Sequence, residues 1–180
     1  MTTITMQNER SRALDAIRLL DRLLIDIVVG TRSLDIFESL NLKNTIQPVV
    51  FDGMRRMSHS HTLLGLSKFI EFYRTYHDLI PPACRTPCKN MMKIIESKKI
   101  CDFRNKYVAH VIDEGTGRPL NLNELEDYIG AIFGQDETSF IRWVNDQESV
   151  FPTTVVSVFQ NTRDEMMKEN GISKGEMSQW

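Results

Sequence analysis

The 180-residue sequence has no apolar run near the ~20 residues that a membrane-spanning helix needs. Its longest candidate, Leu23 to Val29, is interrupted by Asp26. The first residues, Met1 to Arg12, lack the basic start and apolar middle of a secretion signal. No membrane association is expected, and the expected location is the cytoplasm. Cysteine is scarce as well: Cys84, Cys88 and Cys101, an odd number at no disulfide-framework spacing, suit a reducing compartment. Cys84 and Cys88 can share a helix face, but a zinc site takes about four ligands. The nearest histidine in sequence, His77, lies beyond Pro81-Pro82. Free thiols, no metal and no cofactor are the expectation. Also missing are a glycine-rich phosphate loop, His-Glu-x-x-His, Gly-x-Ser-x-Gly and a paired-cysteine motif. A formal net charge of −2 removes any global attraction to nucleic acid.

What is present is an amphipathic chain, 41% hydrophobic and 26% charged, of a length that suits one core. Apolar residues recur every three or four positions almost throughout, the period of a helix. In the first segment they fall at Ala13, Ala16, Ile17, Leu20, Leu23, Leu24, Ile27 and Val28, which predicts a helix from near Asn8 to Val29. Gly30 can end or bend it before a continuation through Leu34, Phe37 and Leu40. A second helix opens near Pro48 and runs to about Ile80, where Pro81-Pro82 stops it. A third is expected from about Pro87 to Val111, with Met91, Met92, Ile95, Phe103, Tyr107 and Val111 as its stripe.

Asp113 to Pro119 reads as a turn-rich loop. Asn121, followed three residues later by Glu124, is a variant capping box and starts a fourth helix. Phe140 to Val144 extends it or forms another. Pro152 opens a last helix through Val155, Phe159 and Met166, although Val155, Val156 and Val158 also have strand propensity. The expected fold is therefore all-α, a bundle of about five helices. Residues 1–170 would form one domain and 171–180 a flexible tail. There is no internal repeat, low-complexity block or second-domain linker.

Charge is segregated. Cys84 to Lys106 holds seven basic and two acidic residues, a net of +5, while Asp113 to Glu148 holds nine acids against Arg118 and Arg142, a net of −7. A basic ridge can attract a phosphate backbone. Charge alone favours the plainer outcome, pairing with the acidic helices of this chain or of a partner subunit. His59 and His61, two apart, point to opposite sides of a helix, one at the surface and one at the edge of the core. His77, in a last helical turn, suits a structural role.

Arg104 to His110 stands apart. It joins a permanent cation, the amide of Asn105 and a group that titrates near neutrality, all inside the basic ridge. Arginine can clamp a phosphate and histidine can shuttle protons. The pairing suits cleavage of RNA, whose 2′-hydroxyl supplies the nucleophile without a metal. On a continuous helix, six residues amount to about 600° and 9 Å of rise, which leaves the two side chains about 120° apart. A two-fold dimer with third helices face to face would gather two arginines and two histidines. Lys106, Lys99 and Lys98 are candidate phosphate contacts, and Tyr107 is expected to pack in the core.

The run Phe103-Arg104-Asn105-Lys106-Tyr107-Val108-Ala109-His110, followed by an acidic loop and Arg118-Pro119-Leu120, resembles the signature of the HEPN superfamily (higher eukaryotes and prokaryotes nucleotide-binding), in particular its abortive-infection AbiU-type branch. The resemblance spans about Lys99 to Leu120; elsewhere it is an order of helices. It implies a dimerising helical bundle and, in active members, a metal-independent endoribonuclease leaving 2′,3′-cyclic phosphate ends. Arg104 would then stabilise the phosphorane-like transition state, His110 serve as general acid or base, and Asn105 orient the phosphate or the histidine. Several such proteins are toxins or antiphage effectors paired with a nucleotidyltransferase antitoxin. Some carry a regulatory tyrosine two residues after the histidine, where this chain has Ile112. Other members bind nucleotides or serve as non-catalytic interaction domains, which is the alternative expectation here.

Overall fold

The computed structural model describes residues 2–43, 45–108, 117–118, 121–134 and 136–177. Two long helices organise it. Helix α1 spans Thr2–Leu42, 41 residues and therefore roughly 60 Å. Helix α2 spans Pro48–Tyr76, with Pro48 in its first turn. They lie antiparallel, since Gly30 meets Ser58 and Thr62 while Gly65 meets Ile27. Gly30 neither ends nor breaks α1. A Cβ there would sit 2.4 Å from Thr62 Oγ1, so the glycine is where the two backbones approach each other.

Helix α2 ends at Tyr76 and the chain tightens into a 3-10 turn, His77–Leu79, before the prolines. Helix α3, Pro82–Ser97, begins with the second proline, whose missing N–H costs nothing in a first turn. Pro87 is thus inside the helix rather than at its start. The apolar stripe of α3 (Cys84, Cys88, Met91 and Ile95) is buried. Helix α7, Val155–Glu169, closes the core, with the Phe159 ring stacked 3.9 Å from Phe69. The strand propensity of its valines is overridden: Val155 and Val158 are buried, and Thr154 and Ser157 form a capping box at its start.

The expected single third helix is interrupted. Lys99 adopts φ 56°, a left-handed conformation, and a short helix α4, Ile100–Phe103, follows it. From Arg104 to Val108 the chain widens into a π-helical turn. Buried Ile100 and Phe103 anchor this segment to the core.

Helix α5, Leu122–Phe133, carries the expected capping box, with Asn121 accepting from the Glu124 N–H and Glu124 accepting from Asn121 N–H. Arg118 grips both Glu124 carboxylate oxygens at 2.9 Å. A separate helix α6, Glu137–Val144, starts from an Asp136 cap and buries Phe140 and Val144. In the described part of the last segment, Ile172 is buried. A short helix α8, Lys174–Met177, meets α1 there through Arg10 and Glu176. The architecture is an all-α helical bundle; the described residues form eight α-helices and no β-strand. No described helix is long and apolar enough to cross a membrane.

Candidate functional site

Arg104 opens the π turn immediately after buried Phe103, whose ring lies 5.7 Å from Tyr128 of α5. Its side chain is mostly sheltered, 26% exposed, and Nη2 donates to Glu71 Oε1 on α2 at 2.9 Å. Its Nε is sealed from solvent and has no hydrogen-bond partner among the described residues. Such a donor, where it stays unpaired, costs about 1–3 kcal/mol. Asn105 is exposed and Lys106 half-buried. His110 lies outside the described residues, as do Ala109 and the whole stretch 111–116.

The three lysines diverge. Lys99, exposed at the left-handed break, and Lys106 share a cleft of about 220 Å³ with Glu124, Asp127 and Tyr128. The Arg118 contact, the Asn121 N–H and then Lys106 hold the Glu124 carboxyl below its usual range. Lys98 turns the other way. Its ammonium donates to Ile132 O at 2.7 Å and lies over the rings of Phe140 and Trp143. Burial pushes its pKa down. Lys98 therefore caps α5 and joins α5 and α6 to α3.

Sequence reasoning missed the acids and bases that α2 and α3 bring to this region. Arg74, one turn beyond Glu71, is paired with Glu96 at 3.0 Å. Together Arg104 and Arg74 flank the Cys101 thiol, whose pKa rises through burial against the pull of both guanidiniums. No short motif contains Glu71 or Arg74; a charged residue on the α2 face next to buried Ile70 was the only available signal.

His59 is sheltered, with Nε2 2.8 Å from Glu137 Oε1 and its ring edge-on to Phe133. Arg55 holds the same carboxylate. His61 is more exposed and faces Asp26 at 3.4 Å. Cys84 and Cys88 are buried, accepting from Asn161 Nδ2 and paired with Thr162 Oγ1 respectively. Burial pushes the Cys88 thiol up to about 11, so it is not a nucleophile near neutral pH.

The chain shares its fold with a solved protein. It superposes on the integron cassette protein Vpc_cass2 from the mobile metagenome of V. paracholerae with a TM-score of 0.72. The match covers 87% of this chain and 96% of that one at 19% identity, a likeness of fold alone. No family model and no curated protein matches the sequence.

Proposed function

We propose that the protein is a metal-independent endoribonuclease of HEPN type, working as a homodimer in bacterial defence or toxin–antitoxin growth control. The observation that supports this most is Arg104. The resemblance singles out this residue, and the fold holds it at the start of a π turn, mostly sheltered, with its Nε unpartnered among the described residues. π segments recur at functional sites because they re-aim a side chain at a cost in backbone regularity.

In the proposed reaction the RNA 2′-oxygen bonds to the adjacent phosphorus and the 5′-oxygen leaves. One His110 accepts the 2′-hydroxyl proton and the His110 of a second copy returns a proton to the departing oxygen. Arg104 stabilises the charge that gathers on the phosphoryl oxygens. Asn105 orients the phosphate or the histidine, and Lys106 and Lys99 meet flanking phosphates. Lys98 keeps its internal role and drops out of the RNA contacts. An antitoxin protein is the candidate restraining partner.

A second reading, a non-catalytic or nucleotide-binding interaction module, draws on a different observation. Several basic groups already face internal partners: Arg104 meets Glu71, Lys98 meets Ile132 O, and Lys99 and Lys106 face Glu124 and Asp127. RNA cleavage in EDTA separates the two readings. The nuclease predicts cleavage by the wild type, lost by at least 100-fold in Arg104→Ala and His110→Ala, from a protein that sediments as a dimer. A silent wild type, equal cutting by all three proteins, or a monomer at micromolar concentration would favour the interaction module.

A further inference from the structure

Glu71 lies on α2 between buried Ile70 and Phe72, and Arg104 opens the π turn. The two are 33 residues apart in sequence, so their 2.9 Å contact is made only by the fold. Exposure is lopsided: the arginine is 26% exposed and the glutamate 64%. An ordinary surface pair has two mobile, solvated partners and little effect. Here the arginine is mostly sheltered, its Nε is closed to solvent, and the Nη groups are left to meet an anion. Glu71 occupies a single Nη, and the other Nη hydrogens have no partner among the described residues.

We propose that Glu71 is the positioning residue of Arg104, holding the guanidinium in the orientation that meets a phosphoryl group. This rests on the reading of Arg104 as the phosphate-stabilising residue. A free arginine must lose side-chain rotamer entropy when it engages the transition state; one held by Glu71 has lost much of it beforehand. The same carboxylate partly cancels the positive charge seen by an approaching RNA. Removing it therefore separates the two kinetic constants. Substrate binding tightens or stays constant, while turnover falls because the guanidinium wanders.

The test is steady-state RNA cleavage by wild type, Glu71→Ala and Glu71→Gln, together with NMR of guanidinium rotation at Arg104. Glu71→Ala is expected to lower kcat by about 10- to 100-fold without raising KM. Glu71→Gln, whose amide oxygen still accepts from Nη2, is expected to recover most of kcat. Arg104 Nη rotation should be slow in the wild type, fast in Glu71→Ala and intermediate in Glu71→Gln. Unchanged kcat in Glu71→Ala, or a higher kcat, would overturn the proposal, the latter making Glu71 a competitor of the substrate. Free rotation at Arg104 in the wild type would overturn it whatever the cleavage assay shows. A wild type that holds Arg104 rigid but cuts no RNA would count against the nuclease reading and, with it, against a phosphate as the reason for the positioning.

Discussion

His59 projects from the first half of α2 onto the edge of Phe133, 15% exposed, beside a carboxylate that Arg55 also holds. Burial and then the Arg55 charge push the imidazole down to about 4, although the Glu137 carboxylate acts against them. The sign of the linkage follows. Between pH 6.5 and 4 the unfolded chain binds a proton at this residue and the folded chain does not, so folding is weakened as pH falls through that window. Above pH 6.5 the contribution is complete. Its ceiling is about 3 kcal/mol, and the Glu137 contact reduces it. Denaturant unfolding at pH 7 and pH 4.5 should show a smaller loss for His59→Gln than for the wild type. An equal loss in both proteins would mean that other groups carry the acid sensitivity. The two sites also differ in how readable they were. Arg104 belongs to a short local motif, whereas the partner of each buried polar group (Glu71, Glu137 or Ile132 O) comes from a remote segment and carried no signal of its own.

Among the helices, legibility followed the same division between local and remote causes. The Asn121–Glu124 cap, the stop before Pro81-Pro82 and the apolar stripes of α1 and α2 are written in neighbouring residues, and the fold contains them. The break at Lys98–Lys99 is not, because neither glycine nor proline marks it. Tertiary contacts drive it: Lys98 is drawn to the end of α5 and to the aromatic rings of α6, and Lys99 takes the left-handed turn that results. Gly30 shows the converse, a residue that breaks helices in isolation but here lets two of them touch. Gly30→Ala places a methyl group 2.4 Å from Thr62 Oγ1 and 3.1 Å from Ser58 O, within a fully buried contact. We expect a loss of about 1–3 kcal/mol, from overpacking, in spite of alanine's better helix propensity. Gly53→Ala is the control: nothing lies within 4 Å of its added Cβ, so propensity alone should stabilise the fold by roughly 0.5–1 kcal/mol. Thermal unfolding of the two variants checks both signs, and a stabilised Gly30→Ala would contradict the close packing of α1 on α2.

For the molecule as a whole, the charge segregation seen in the sequence is partly resolved within the chain. Basic residues at the end of α3 and in the segment after it reach the end of α5, the cleft beside Glu124 and Asp127, and the carboxylate of Glu71. Such a surface carries less net positive field than the linear count of charges suggests, so the proposed RNA binding would depend on a few placed groups. That puts the weight of the account on chemistry at Arg104 and His110 and on two copies of the chain acting together. The all-α class could be read from periodicity, because it needs only the average pattern of the chain. The setting of Arg104 could not, because it depends on a π turn and on Glu71 from a remote stretch of α2. The most direct measurement is cleavage, in EDTA, of one RNA oligonucleotide beside its fully 2′-O-methylated twin. The account predicts that the RNA is cut, leaving 2′,3′-cyclic phosphate ends, while the twin binds and stays intact. Cutting of both, which requires a nucleophile other than the 2′-hydroxyl, or cutting of neither would contradict it.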